Sequence, residues 1–211
     1  MVDADQQGYA RTHIVLPSTI YGIATHALVK AGISNAHSQQ IPAIIRASVD
    51  RKRAGVVGKG LAWWPSVHID DSEYSCVETQ LRAVVSHVFR FAVADLYIVL
   101  FDNIISNPDK TGHGWEGFYF GENGEHQWID ISRAVGKALV ELGLADNPEP
   151  TTFTVEELVK YWGNEDLGWY SGTNSRCRAD RGRALGWKPK YTTQDMLASI
   201  KPEIEALTKK Q

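Results

Sequence analysis

The feature that most constrains the fold is a nearly continuous apolar stretch close to the start of the sequence. Residues 12–21 read T-H-I-V-L-P-S-T-I-Y, and Gly22 follows. This pattern is typical of a strand buried on both faces, as in a parallel sheet. Because parallel strands need neighbours and long crossover connections, the stretch predicts an α/β fold in which further strands complete the sheet.

The composition indicates one soluble domain and excludes several classes of partner. The 211 residues are 43% hydrophobic and 22% charged, and the net charge is −3, which predicts neither a nucleic-acid nor a membrane partner. No signal peptide is apparent, and the apolar run near residues 93–105 is too short for a membrane span and is broken by Asp95 and Asp102. Two cysteines, Cys76 and Cys177, are too few for a disulfide framework, so we expect a reducing, cytoplasmic compartment.

Periodicity and capping residues predict the remaining elements. Thr154 with Glu157 forms a capping-box pattern, while Gly143 and Gly186 end predicted helices. The predicted strands cover residues 61–69 and 118–120. The predicted helices cover residues 38–53, 93–105, 128–142, 154–162, 174–185 and 192–209.

Three segments in order carry a family resemblance. They are P-S-T-I-Y-G at residues 17–22, V-H-I-D-D at 67–71 with V-A-D-L-Y at 93–97, and N-S-R at 174–176 followed by L-G-W-K-P at 185–189. They resemble the second half of extended short-chain dehydrogenases/reductases, the NAD-dependent epimerase/dehydratase family. The resemblance implies an incomplete Rossmann-type fold, the carboxyl-terminal portion, with a small mixed α/β substrate lobe.

The same resemblance divides the chain, which we expect to be a single truncated domain. Residues 12–22 are the last part of the Rossmann sheet. Residues 23–70 and 143–211 form the substrate lobe, and residues 93–142 are a helix-strand-helix unit that returns to the Rossmann part.

The resemblance also assigns site residues at the end of the first strand. Pro17, Ser18, Thr19 and Tyr21 are implied to flank the nicotinamide of NAD or NADP and the substrate. This agrees with the rule that ligands bind at the carboxyl ends of parallel strands. His68 either contacts the substrate or is a packed core residue.

Arg176 begins the predicted basic helix over residues 174–185. The resemblance implies either that its guanidinium binds the diphosphate of a nucleotide-sugar-like substrate in bidentate fashion, or that it lies on a solvated helix face. For Arg178, Arg181 and Arg183 we expect the solvated face.

Two features of a complete enzyme of this family are missing from the 211 residues. The glycine-rich segments 55–60 and 112–117 lead into predicted strands rather than a helix, so neither fits a phosphate-binding turn. No tyrosine is followed four residues later by lysine, the family's catalytic pair. We therefore expect a truncated enzyme with no catalytic residue that binds no dinucleotide alone. A non-catalytic Rossmann-related binding or regulatory module is the alternative.

Other site chemistries lack their signatures, and the oligomeric state is not predicted. The sequence has no Cys-x-x-Cys and no histidine pair at helical spacing, which predicts no metal site. In the family, dimers form through helices of the other half.

Residues 72–92 separate two segments that are contiguous in the family pattern. One hypothesis is a translated, unspliced intron, which the transcript sequence tests. The other is a genuine insertion that forms a helix, since apolar residues recur along one helical face: Val77, Leu81, Val84, Val85 and Val88.

Overall fold

The computed structural model describes residues 1–25, 27–69 and 94–209, so the segment 72–92 lies outside the described residues. The helices are α1 Val2–Gln6, α2 Ala27–Lys30, α3 Gln40–Asp50, α4 Ala94–Ser106, α5 Trp128–Glu141, α6 Val155–Trp162, α7 Glu165–Trp169, α8 Asp180–Ala184 and α9 Thr193–Thr208. The strands are β1 Ile14–Pro17, β2 Thr19–Tyr21, β3 Gly55–Val56, β4 Trp63–His68, β5 Phe118–Gly121, β6 Glu125–Gln127 and β7 Thr151–Thr152.

The predicted first strand is divided in two at Ser18. The Ser18 amide and hydroxyl both donate to the carbonyl of Gly121, at 3.1 and 2.7 Å. β1 pairs in parallel with β5, whereas β2 pairs in parallel with β4, which pairs antiparallel with β6. The turn at Ser18 therefore passes the chain from one small sheet to another.

The prediction that this whole stretch is buried on both faces is wrong for β1. Its residues Ile14, Val15 and Leu16 are half-buried and Pro17 is exposed. In the described part of the chain β1 pairs with another strand only on the β5 side. β2 matches the prediction better, because Thr19 and Tyr21 are buried.

Two apolar clusters lie on opposite sides of the β2–β4–β6 sheet. The larger joins Tyr21 to α3, α5 and α9, and α9 contributes Met196, Ile200 and Ile204 at 1% exposure or less. The smaller joins Val67 of β4 to α4 and Trp187. Burying one such apolar side chain stabilises a fold by about 1.5–3 kcal/mol, so the sheet is held from both faces.

Most predicted helices begin and end as their capping residues indicate. The Thr154 side chain accepts from the Glu157 amide at 3.3 Å, and Glu157 accepts from the Thr154 amide at 2.9 Å. Gly186 adopts φ +105° directly after the α8 region, the left-handed conformation that ends a helix. None of the described helices is long and apolar enough to cross a membrane.

The predicted basic helix over 174–185 is wrong for its first six residues. Only Asp180–Ala184 is helical. Asn174 instead accepts from the Trp63 amide at 2.7 Å, and the Ser175 amide donates to the Trp63 carbonyl at 2.9 Å. These bonds hold the segment in extended form beside the start of β4, so Arg176 and Arg178 do not lie on a helix.

Candidate functional site

The parallel strands β2 and β4 end at the same edge of their sheet. Tyr21 is in register with His68, and their rings meet edge to face with centroids 4.9 Å apart. Tyr191 stacks on the His68 ring, with its centroid 3.9 Å from that of His68. The predicted residues Tyr21 and His68 are therefore brought together, in the place where open parallel sheets bind ligands.

The rings of Tyr21, His68 and Tyr191 form a ring cluster, and hydrogen bonds from distant segments hold it in place. The Tyr21 hydroxyl donates to the Thr192 carbonyl at 2.8 Å, and the Asn123 side chain donates to the Tyr191 carbonyl at 2.7 Å. The sequence did not indicate Tyr191 or Asn123 as site residues. Tyr191 follows the L-G-W-K-P segment, which looked purely structural, and only the fold places it beside His68.

Gly22 allows the close approach of His68 to the end of β2. It has φ +89°, and a Cβ atom built on it would lie 2.6 Å from the His68 Nε2 atom. Both the positive φ and the short distance to His68 disfavour a side chain at position 22. The ring cluster therefore requires glycine there.

We expect Gly22→Ala to displace the His68 ring and to lower the free energy of unfolding by about 1–2 kcal/mol. Urea denaturation measures the stability, and the imidazole NMR signals report the loss of stacking on Tyr191. Gly8→Ala is the control, since Gly8 has φ +72° with no other atom within 4 Å of its built Cβ. Unchanged His68 signals in Gly22→Ala would contradict the close approach.

Pro17, Ser18 and Thr19 lie just before this edge and differ in what they contact. Pro17 is exposed at the end of β1, and the Ser18 hydroxyl is bound to Gly121. Thr19 is 1% exposed, and its hydroxyl has no partner among the described residues. It lies two positions before Tyr21, on the same face of β2. The cofactor contacts of these residues stay predictions.

Arg176 lies at the other end of β4 from His68. Its guanidinium is 5.7 Å from the ring centroid of Trp63, the first residue of the strand. Five residue steps along the strand lead from Trp63 to His68, roughly 17 Å at 3.3 Å per residue. The fold therefore does not bring the two predicted substrate-binding residues together.

The Arg176 side chain is engaged by a carboxylate. Its Nε and Nη2 atoms donate to the two oxygens of Glu125 at 2.8 and 2.6 Å. The hydrogen bond from Arg176 is the largest cause that lowers the pKa of Glu125. This is the bidentate geometry expected for a substrate phosphate, and here the acceptor is the protein's own carboxylate.

Two reactive side chains near this end of the sheet are unsuited to catalysis at neutral pH. Burial lowers the pKa of His126 to about 4, so its ring is neutral. Burial, with Glu122 and Glu125 nearby, raises the pKa of the Cys177 thiol to about 11, so the nucleophilic thiolate is scarce. Among the described residues no group of three or more potential ligands could hold a metal ion.

Comparisons with known proteins define the class of the fold. No family profile matches the sequence. The oxidase ucsJ of an Acremonium species is 27% identical to this chain over 181 residues, which are 85% of this chain and 45% of the oxidase. The chain thus spans about half the length of this curated relative.

Solved structures of nucleotide-sugar enzymes have a similar fold. A UDP-glucuronic acid 4-epimerase from Bacillus cereus, in complex with UDP-glucuronic acid and NAD, superposes with a TM-score of 0.53 at 11% identity, over 98% of this chain and 49% of that one. A dTDP-glucose 4,6-dehydratase from Bacillus anthracis, in complex with NAD, gives a TM-score of 0.51 at 13% identity, over 98% and 48% of the two chains. The chain has the fold of about half of an NAD-dependent epimerase/dehydratase, and the predicted incomplete Rossmann-type fold is confirmed.

Proposed function

We propose that this chain is the carboxyl-terminal, substrate-binding part of an NAD(P)-dependent epimerase, dehydratase or reductase, and that it is inactive alone. The reaction of the whole enzyme is hydride transfer between a substrate carbon and the nicotinamide. The observation that carries the proposal is the ring cluster of Tyr21, His68 and Tyr191 at the joint end of two parallel strands. It lies in a fold that such enzymes share.

Within this proposal the described residues divide into two roles. Pro17, Ser18 and Thr19 contact the nicotinamide end of the cofactor, because they lie where β1 and β2 approach the sheet edge. Tyr21 flanks the same end of the cofactor, and His68 contacts a small-molecule substrate beside it. Residues 23–70 and 143–211 supply the substrate lobe.

Neither glycine-rich segment among the described residues forms a binding site for the pyrophosphate of the dinucleotide. Such a site needs a glycine-rich turn that opens a helix, so that backbone N–H groups and the helix dipole meet the phosphates. In the structure the segment 55–60 leads into β4, and the segment 112–117 leads into β5. The nicotinamide contacts alone are too few for tight binding, and the catalytic Tyr-x-x-x-Lys pair is missing from the sequence.

We therefore expect no micromolar binding when the purified chain is titrated with NAD⁺, NADH, NADP⁺ and NADPH by calorimetry. The proposal that this chain contributes to a complete enzyme is tested with a chimera. In the chimera, this chain replaces the aligned segment of the oxidase ucsJ. We expect the chimera to bind a reduced dinucleotide, because it keeps the part of the oxidase that this chain does not match.

A matched pair of variants tests the predicted role of Thr19 in that chimera. Thr19→Val removes a hydroxyl while keeping the side-chain shape, and we expect dinucleotide affinity to fall about fivefold, as for one lost hydrogen bond. Thr208→Val, near the end of α9, is the control and should have no effect. Micromolar binding by the chain alone, or a folded chimera without dinucleotide binding, contradicts the proposal.

A further inference from the structure

We infer that the outer side of α4 is the surface on which this chain docks with a second α/β body, the part of an epimerase/dehydratase fold that this chain does not contain. The inference rests on the proposed function and names the surface through which the two parts of such an enzyme meet. It comes from an exposed apolar stripe on α4 and from the small size of the β1–β5 sheet on which α4 packs.

α4 carries apolar side chains on two sides. Its inner side packs in the smaller apolar cluster, where Leu96 and Leu100 are 0% and 4% exposed. Its outer side carries Tyr97, Phe101 and Ile105, which are 54%, 58% and 66% exposed. These three residues, the α4 stripe, follow one another at intervals of four, so they are neighbours along one face of the helix.

The α4 stripe differs from the ordinary surface of a helix. Exposed apolar residues that occur singly are common and need no partner, whereas a contiguous row of large ones is typical of a contact surface. A surface helix normally turns polar residues to the solvent, and a helix with apolar residues all round is normally buried. The stripe therefore indicates that a second layer packs on the outer side of α4.

The sheet on which α4 packs indicates that this second layer belongs to an α/β body. Val15 of β1 and Tyr119 of β5 lie in the same cluster as the inner side of α4. In the described part of the chain this sheet has two parallel strands, and β1 pairs with β5 alone. Parallel sheets are covered by helices on both faces, and an isolated pair of strands is marginally stable. A partner that supplies further strands to the sheet and side chains above α4 meets both needs.

The length of the proteins that share this fold favours the complementary part of the fold over a second copy of this chain. The superposed epimerase and dehydratase match nearly all of this chain with about half of their own length. In those proteins the matched elements therefore lie in a chain with a second part of similar size. A second copy of this chain would repeat the same strands and helices, whereas the complementary part adds different ones.

The test mixes the purified full chain with the part of the oxidase ucsJ that it does not match, expressed as a separate polypeptide. We expect an equimolar complex in size-exclusion chromatography with light scattering. Phe101→Asp should weaken this complex about tenfold or more, because the complex would bury a carboxylate without a partner. The same substitution should leave the stability of the chain alone nearly unchanged in urea denaturation, since Phe101 is 58% exposed.

Val159→Asp is the matched control. Val159 is also a partly exposed apolar residue on a helix, at 45%, but its helix α6 packs in a different apolar cluster, so the complex should tolerate the change. The same two substitutions in the ucsJ chimera give a second measurement that does not need the separate polypeptide to fold. Phe101→Asp should lower the melting temperature of the chimera, and Val159→Asp should leave it unchanged.

Equal effects of the two substitutions, or the absence of both the complex and a folded chimera, overturn the inference. A dimer of the chain alone that Phe101→Asp dissociates also overturns it, because the stripe would then bind a second copy. None of these measurements uses a dinucleotide, so their failure is distinguishable from failure of the proposed function. A folded chimera that Phe101→Asp destabilises but that binds no dinucleotide contradicts the proposed function and supports the docking surface.

Discussion

Lowering the pH from 6.5 to 4 is expected to reduce the free energy of unfolding by about 3 kcal/mol through His126 alone. Each unit by which the pKa differs between the folded and unfolded chain is worth about 1.4 kcal/mol. Burial lowers the pKa of His126 from 6.5 to about 4 in the folded chain. The ring is 1% exposed, and neither nitrogen has a partner among the described residues. A charged imidazole is therefore strongly disfavoured at this position.

The sign follows from which state takes up the proton first. Above pH 6.5 the ring is neutral in both states, and the full stability is present. Between pH 6.5 and 4 the unfolded chain is protonated while the folded chain is not, so stability is lost as the pH falls. Below about 4 both states are protonated and this loss is complete.

Urea denaturation at several pH values between 7 and 4 measures the effect, with His126→Leu as the test variant. Leucine leaves no unpartnered buried nitrogen, so we expect stability at pH 7 to be equal or higher. Its stability should decline less steeply with acid by the amount that His126 contributes. His113→Gln is the control, because the His113 side chain is 39% exposed and the steep acid dependence should remain. Parallel acid profiles for His126→Leu and the unaltered chain would show that His126 is not held neutral.

Gly136→Ala, in the middle of α5, is expected to lower the free energy of unfolding by about 3 kcal/mol. This value is at the upper end of the range for substitutions that overpack a rigid site. A Cβ atom built on Gly136 lies 1.9 Å from the Pro148 carbonyl oxygen and 3.2 Å from the Ala54 Cβ atom. The obstacle is backbone, which cannot rotate away as a side chain can. In an open helix the same change would stabilise the chain by about 1 kcal/mol through lower backbone entropy, so the expected sign is reversed here.

Gly143→Ala, just after α5, is the matched control for this substitution. Gly143 has φ +68°, and no other atom lies within 4 Å of its built Cβ. Its replacement should therefore cost only the strain of the left-handed conformation, about 1–2 kcal/mol. Both variants are compared by urea denaturation followed by circular dichroism. If Gly136→Ala is as stable as the unaltered chain, the close packing of α5 on the segment around Pro148 is wrong.

Local signals in the sequence were enough to place most helices and two of the strands. α6 begins at a capping box that Thr154 and Glu157 form between themselves, three residues apart. α5 ends before Gly143, and the α8 region ends before Gly186, because glycine readily adopts the left-handed conformation. Each of these outcomes depends on residues within one helical turn, so a linear pattern contains the information.

The candidate site was predicted only in part, because its contacts join residues that are far apart in the sequence. The family resemblance named Tyr21 and His68 as candidates, and the structure brings their rings together. Tyr191 was missed because its contact with His68 spans more than a hundred residues. Arg176 was placed on a helix because its neighbours are basic, whereas its geometry is set by Glu125, 51 residues earlier.

The sequence by itself determined the α/β class, the periodicity of the long helices and the glycine stops, because these follow from backbone preferences and from apolar spacing along the chain. Only the tertiary structure decided that the first strand divides at Ser18, that the buried His126 ring has no hydrogen-bond partner among the described residues, and that Arg176 is paired with Glu125. The physical reason is that hydrogen bonding, desolvation and ion pairing depend on which distant residues lie in contact. No local pattern fixes those contacts.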